Sequence, residues 1–257
     1  MKIVVLSENT TSSPQLLSEH GLSLYIETEN NKILFDTGQS DIFIKNAQVL
    51  GVDLTKVSAA ILSHGHYDHG GGLNYFSQIN PSCPIYISPH AFEPHYSSNG
   101  FIGLDEKNKT DKYIEVNSTL TINNLTLYSA SLIPTPFKVE HYGLKQENNI
   151  PDSFNHEQYL EIVENGKKIL ISGCSHKGIF NIVDYFKPDI LIGGFHFMKI
   201  SSDIKGIEKL KNSADLLLKY NTEYYTCHCT GLEQFQTLKT IMGEKLHYIS
   251  TGSKLNI

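Results

Sequence analysis

The sequence predicts an α/β protein, a four-layer αβ/βα sandwich in which two sheets carry helices on their outer faces. Three observations lead there. Short β-branched runs recur through both halves of the chain, and strand and helix alternate regularly only in the second half. No Pro/Gly-rich linker divides the halves, so residues 1–257 are expected to form one domain. A chain of 257 residues with 40% hydrophobic content can bury a sizeable core without disulfide staples.

The elements follow in order. Lys2–Leu6 is an apolar run, Ser23–Glu27 alternates, and Lys32–Asp36 pairs with it across the polar turn Glu29-Asn30-Asn31. A helix is expected over Ser40–Leu50, with Ile42, Phe43, Ala47 and Leu50 on one face and Gly51 as its stop. Val57–Leu62 is a short buried strand leading into Ser63-His64-Gly65-His66-Tyr67-Asp68-His69, and Gly70–Gly72 are expected to turn the backbone tightly. Pro81–Ser88 reads as a strand and Leu120–Ser129 as two, around Asn123-Asn124. Loop or lid insertions are expected near 89–118, which is polar and aromatic, and near 134–157, which holds Pro134, Pro136 and Pro151. Tyr159–Val163 and Lys168–Ile171 form a hairpin about Asn165-Gly166. Then come a helix from Gly178 to Phe186, a strand Asp189–Ile192, a helix Ile204–Tyr220, a strand Glu223–Cys227, a helix Leu232–Met242 and a strand Leu246–Ser250.

Composition excludes several classes. Net charge is −6, and all 21 basic residues are Lys, so the Arg forks that grip phosphate and guanine are absent. Nucleic acid is therefore not expected as a partner; a small-molecule substrate is. No run of 18 apolar residues offers a membrane span, and Met1–Ser7 is too short an apolar run for a signal peptide. The four cysteines (Cys83, Cys174, Cys227, Cys229) are expected to be reduced thiols in the cytoplasm. The 12 histidines are clustered, which points to metal chemistry.

The densest cluster is His64-x-His66-x-Asp68-His69, three imidazoles and a carboxylate in six residues after a strand. Zinc and similar ions take these donors, and a local segment rarely fills one ion's shell alone. Distant ligands are expected at later strand ends: Gly173-Cys174-Ser175-His176, Gly193-Gly194-Phe195-His196 and Cys227-His228-Cys229. His176 and His228 are expected to complete the site, one for each metal position. Cys174 is either a soft ligand or a buried hydrophobe. Strand alternation through Cys227-His228-Cys229 puts both thiols opposite His228 and reads them as core. His196 is left for catalysis, as a proton donor or oxyanion stabiliser, beside Asp68.

With these motifs in view, the chain resembles the metallo-β-lactamase fold superfamily, whose HxHxDH signature is met by His64, His66, Asp68 and His69. Asp36, in Leu34-Phe35-Asp36-Thr37-Gly38, matches the family's earlier acidic motif, which supports the metal loop. The phrases Glu19-His20-Gly21-Leu22-Ser23, Ser172-Gly173-Cys174-Ser175-His176, Gly193-Gly194-Phe195-His196 and Cys227-His228-Cys229-Thr230-Gly231 are similar to the subgroup around the ribofuranosylaminobenzene 5′-phosphate synthase of methanopterin biosynthesis. The resemblance implies His228 as the last metal ligand and places Cys174 where many relatives carry a bridging Asp. It offers Glu140 or His141 near the family's middle His, with His176 the preferred substitute. Asp36 and His20 would orient the loop from behind.

The resemblance implies a metal-dependent hydrolase with one or two zinc ions, manganese and iron being the alternatives. A pterin-related group-transfer enzyme is the second reading, although Ile133-Pro134-Thr135 stands where subgroup members carry Ile-Pro-Arg. A metal-containing sensor or binding protein with vestigial catalysis is the third. A redox di-iron reading lacks room for the usual flavodoxin-like partner domain. Hydrolysis of β-lactams does not follow from the fold name.

Overall fold

A computed structural model of the chain describes residues 1–11, 13–109 and 112–257. Thr110 and Asp111, in the 89–118 segment, lie outside the described residues. Two compact units emerge: one of residues 1–117, 143–158 and 250–257, the other of 118–142 and 159–249.

The first unit contains β1 (Lys2–Ser7), β2 (Ser23–Glu27), β3 (Lys32–Phe35), α1 (Ile42–Leu50), β4 (Ala59–Ile61), α2 (Tyr67–Gly70), α3 (Leu73–Ile79), β5 (Ile85–Ile87), β6 (Tyr96–Ser97), β7 (Gly100–Phe101) and β8 (Tyr113–Glu115). β1, β2 and β3 pair antiparallel, whereas β3, β4, β5 and β8 run parallel. Val4, Leu6, Leu34, Ala60 and Leu62 pack with Phe43 and Ala47 of α1 and with Leu73 and Phe76 of α3. The alternate residues Ile3, Val5, Leu24, Ile26 and Phe35 are buried as well, which explains why Lys2–Leu6 reads as a continuous apolar run. Gly51 ends α1 in the left-handed conformation at φ 72°, the stop its position suggests.

The second unit contains β9 (Thr119–Ile122), β10 (Leu125–Ser129), β11 (Gln158–Glu164), β12 (Lys167–Ile171), α4 (Ile179–Phe186), β13 (Ile190–Ile192), α5 (Ile204–Leu217), β14 (Glu223–Thr226), α6 (Leu232–Met242) and β15 (Leu246–Tyr248). Its sheet has the order β15-β14-β13-β12-β11-β10-β9, with β12 to β15 parallel. Parallel neighbours end at a common edge, so the segments after β12, β13 and β14 emerge together. Leu170, Leu191, Tyr224 and Leu246 pack with Ile182 and Phe186 of α4, Leu210 and Ala214 of α5, and Leu238 of α6. Asn165 and Gly166 both have positive φ (54° and 73°), so the β11–β12 turn is the type the Asn-Gly pair favours. Asp203 caps α5 by accepting from the Gly206 amide at 2.8 Å.

Several elements depart from the sequence reading. The chain closes with β16 (Lys254–Asn256), which pairs antiparallel with β1 of the first sheet. Within the 89–118 segment, β6 and β7 form a small hairpin and β8 adds an edge strand beside β5. Helix α3 was hidden because its seven residues are too few to show a clear period. β14 stops at Thr226 rather than Cys227, and His228–Thr230 form a single 3₁₀ turn. The alternation argument for Cys227 and Cys229 therefore does not apply; they are buried because the turn itself is buried. Phe76 belongs to the first core, with residues of its sheet and of α1, and is fully buried. Phe76→Ala should cost about 3–5 kcal/mol in urea unfolding; a loss under about 1 kcal/mol would contradict this packing.

Candidate metal centre

In the first sheet Phe35 lies opposite Ile61 on parallel strands, so the residues after β3 and β4 emerge side by side. This brings Asp36 to the start of the His64–His69 loop. Asp36 Oδ1 accepts from the Ser63 amide at 2.6 Å, and Oδ2 accepts from the Ser63 hydroxyl at 2.7 Å. Oδ2 also lies 2.6 Å from His69 Nδ1, and Ser63 Oγ lies 2.8 Å from His64 Nδ1.

These contacts fix tautomers. The Ser63 hydroxyl proton is committed to a carboxylate that only accepts, so Ser63 Oγ accepts from His64 Nδ1–H. His69 likewise donates Nδ1–H to Asp36. In both rings Nε2 is then the nitrogen that presents a lone pair, the arrangement that carboxylate and hydroxyl partners impose on metal-binding imidazoles. Burial works against the His69 imidazolium, but the carboxylates of Asp36 and Asp68 outweigh it and hold its pKa up. Burial drives His66 well below its ordinary value, with His156 adding to the effect against Asp68.

The loop is held on its main chain too. The Asp68 carbonyl accepts from Leu22 N at 3.2 Å and the His69 carbonyl from Thr37 N at 2.7 Å. His20 Nε2 lies 3.3 Å from Asp68 Oδ2 while its own side chain is half exposed. The glycines after the loop act by close approach rather than by turning. Gly71 and Gly72 have ordinary negative φ (−61° and −82°), and a Cβ on them would strike the carbonyls of Gln39 and Thr37.

In the second unit, the three segments at the parallel edge carry Cys174, His176, His196 and His228. Cys174, His176 and His228 are buried, and His196 is half-buried. Ser175 (φ 58°), His196 (φ 57°) and His228 (φ 46°) all adopt the left-handed conformation, as Asp36 does in the first unit (φ 59°). Such conformations cost about 1–3 kcal/mol each and gather at functional sites. The His176 and His196 rings meet at 4.4 Å, with Tyr142 at 5.3 Å from His196. Both histidines line a cavity of about 240 Å³ together with Phe137, Phe180 and Lys209. Gly193 and Gly194 do not open space for a ligand here; a Cβ on them would meet the Ser172 carbonyl and the Cys229 sulfur. Cys229 Sγ donates to the Cys174 carbonyl at 3.4 Å. Glu140 is engaged by Lys209 at 2.9 Å, which with Lys138 holds its carboxyl below the usual range.

The sequence profile of the metallo-beta-lactamase superfamily matches residues 19–217. The chain belongs to that superfamily. Its αβ/βα fold is the one the sequence led us to expect. An uncharacterized protein of Methanocaldococcus jannaschii, MJ0448, is 30% identical over 255 residues, covering 93% of this chain and 94% of its own length. The 7,8-dihydropterin-6-methyl-4-(beta-D-ribofuranosyl)-aminobenzene-5'-phosphate synthase of the same organism is 30% identical over 271 residues, covering 91% and 88%. Among solved structures, Tm1679, described as a metal-dependent hydrolase of the beta-lactamase superfamily, aligns over 100% of this chain and 99% of its own, with 31% identity and a TM-score of 0.83. YhfI from Bacillus subtilis shares the fold, with a TM-score of 0.62 at 16% identity.

Three buried polar residues escaped the sequence reading: His95, Asp152 and His156. They sit in the segments read as insertions, and the Asp152-x-x-x-His156 spacing was the signal that could have found them. Burial works against the Asp152 carboxylate, but hydrogen bonds from His156 and His95 outweigh it and keep it ionised well below the usual range. Burial pushes His156 down to about 4. Because Asp36 sets the ring orientation of His69 and reaches His64 through Ser63, Asp36→Ala should weaken metal affinity about 10–100-fold. Competition with a chromophoric chelator measures this, and unchanged affinity would contradict the assigned role.

Proposed function

We propose that this superfamily member is a metal-dependent hydrolase acting on a small molecule, with one or two zinc-type ions held by His64, His66 and His176 and by Asp68, His69 and His228. The observation that carries the reading is the Asp36–Ser63–His69 network, which orients the imidazoles of a loop whose donor set suits zinc, manganese or iron. When bound, such an ion lowers the pKa of water and polarises a carbonyl or phosphoryl oxygen. Cys174 remains a candidate bridging ligand in the position the family gives to a carboxylate.

The chain's own residues supply the rest. Asp36, with His20 beside Asp68, keeps the loop side chains in place. His196, at the rim of its cavity, donates a hydrogen bond or proton to charge developing on the substrate. A cavity of about 710 Å³ in the first unit is walled by Tyr67, Phe92, Tyr96, Phe101 and Tyr113, a size and lining suited to a drug-sized ligand. None of the four cysteines is joined in a disulfide among the described residues, in keeping with a reducing compartment such as the cytoplasm. No helix of the described residues is long and apolar enough to cross a membrane.

A pterin-related group transfer is the second reading, favoured by the name of the synthase relative. The absence of arginine leaves only Lys, His and backbone amides to hold a phosphate, which favours hydrolysis.

Metal-loaded protein should hydrolyse at least one class in a panel of esters, lactams and phosphodiesters. Chelation should abolish that turnover and zinc restore it. Full metal without turnover on any class would favour a sensor, and transfer to an acceptor other than water would favour the synthase reading. The double variant His64→Ala, His66→Ala should lose metal. His196→Ala should keep its metal and lose turnover about 10²-fold or more; loss of metal there would make His196 a ligand instead.

A further inference from the structure

The cavity of about 240 Å³ in the second unit has apolar walls for which the proposed hydrolysis names no occupant. Phe137, Phe180, Phe195 and Phe197 line it, together with Ile179 of α4 and Leu216 of α5. Their rings meet at angles. Phe195 and Phe197 lie edge to face at 5.9 Å, Phe180 and Phe197 are tilted at 6.2 Å, and Phe137 and Phe180 are tilted at 5.9 Å. His176 and His196 complete the wall.

The wall is held in place before any ligand arrives. Phe137 lies outside every helix and strand, yet Asn181 of α4 pins its main chain. Asn181 Oδ1 accepts from Phe137 N at 2.8 Å, and Nδ2 donates to the Phe137 carbonyl at 3.0 Å. The polar lining groups also have partners within the wall. Lys138 and Lys209 both meet the Glu140 carboxylate, at 3.3 and 2.9 Å, and Lys209 Nζ donates to the Tyr142 hydroxyl at 3.3 Å. Ser213 Oγ donates to the Lys209 carbonyl at 2.8 Å, and the Ser175 hydroxyl pairs with that of Ser172 at 2.7 Å. An anionic ligand would have to draw Lys209 away from Glu140.

We propose that this cavity takes an uncharged aromatic group of one or two fused rings, carried by the substrate next to the bond that is cleaved. A dry apolar cavity of about 150 Å³ holds one benzene, so the larger volume here has room for a second fused ring. Aromatic pairs prefer tilted and edge-to-face arrangements, so walls of phenylalanine favour an aromatic group over an aliphatic one of equal size. A ring bound here lies beside His196, the residue assigned to proton donation. What happens at the neighbouring bond rests on the hydrolytic reading; binding of the ring does not.

Calorimetric titration of the protein with 2-naphthol and with 2-naphthalenesulfonate tests it. 2-Naphthol should bind with a Kd of about 1 mM or tighter, and more tightly than the sulfonate. Leu216→Trp, which fills the cavity from α5, should weaken that binding about 10–100-fold, the value of burying one ring. Phe180→Ala should weaken it about 2–10-fold by removing one aromatic partner. No binding of 2-naphthol, tighter binding of the sulfonate, or unchanged binding in Leu216→Trp would overturn the assignment. Should circular dichroism show that the variants misfold, anomalous diffraction at the bromine edge from crystals soaked in 6-bromo-2-naphthol decides. A peak in the cavity supports the site, and its absence there refutes it. Naphthol bound in the cavity with no turnover of any ester, lactam or phosphodiester upholds the site and removes the hydrolytic reading. Turnover without naphthol binding removes the site alone.

Discussion

A single buried carboxylate organises the metal loop. Asp36 is fully buried, where an ionised group survives only if its lone pairs are filled. It fills them with the Ser63 amide, the Ser63 hydroxyl and His69 Nδ1. Removing one partner of such a buried set costs about 3–5 kcal/mol, so the loop and the strand end before it are locked together. The direction of the hydrogen bonds then passes outward, through Ser63 to His64 and directly to His69, and decides which nitrogen each ring presents. The parallel register of β3 and β4 is what makes this possible.

Much of this was legible in the sequence because it is local. The HxHxDH spacing, the Asn165-Gly166 turn, the stop at Gly51 and the helices after Gly178, Asp203 and Gly231 are all written in a few consecutive residues. What escaped depends on distant partners. The strand Lys254–Asn256 exists because β1 offers it an edge, and Tyr113–Glu115 because β5 does; neither has a strong pattern of its own. The role of the glycines depends on distant partners too. A run of glycines suggests a turn, whereas at Gly71 and Gly72 it is the carbonyls of Gln39 and Thr37 that leave no room for a Cβ. His95, Asp152 and His156 lie in polar, proline-containing segments that look solvated, and only the fold shows them buried.

The two units contribute different chemistry. The first supplies a loop whose imidazoles are oriented by hydrogen bonds. The second supplies a parallel sheet edge where Ser175, His196 and His228 share an uncommon backbone conformation. Strain repeated at three strand ends is difficult to attribute to packing alone, and each of these residues sits in, or next to, a motif that the sequence marks for chemistry. Membership of the superfamily sets the fold and leaves the substrate open to features of the individual site.

The histidine tautomers test the central claim most directly. Long-range proton–nitrogen correlation spectra of the metal-free and zinc-loaded protein report which ring nitrogen bears a proton and which meets the metal. The account predicts His64 and His69 as Nδ1–H rings whose Nε2 resonances shift on adding zinc, and Asp36→Ala should scramble both. A zinc-loaded protein in which His69 is protonated at Nε2, or an Asp36→Ala spectrum identical to that of the parent, would contradict it.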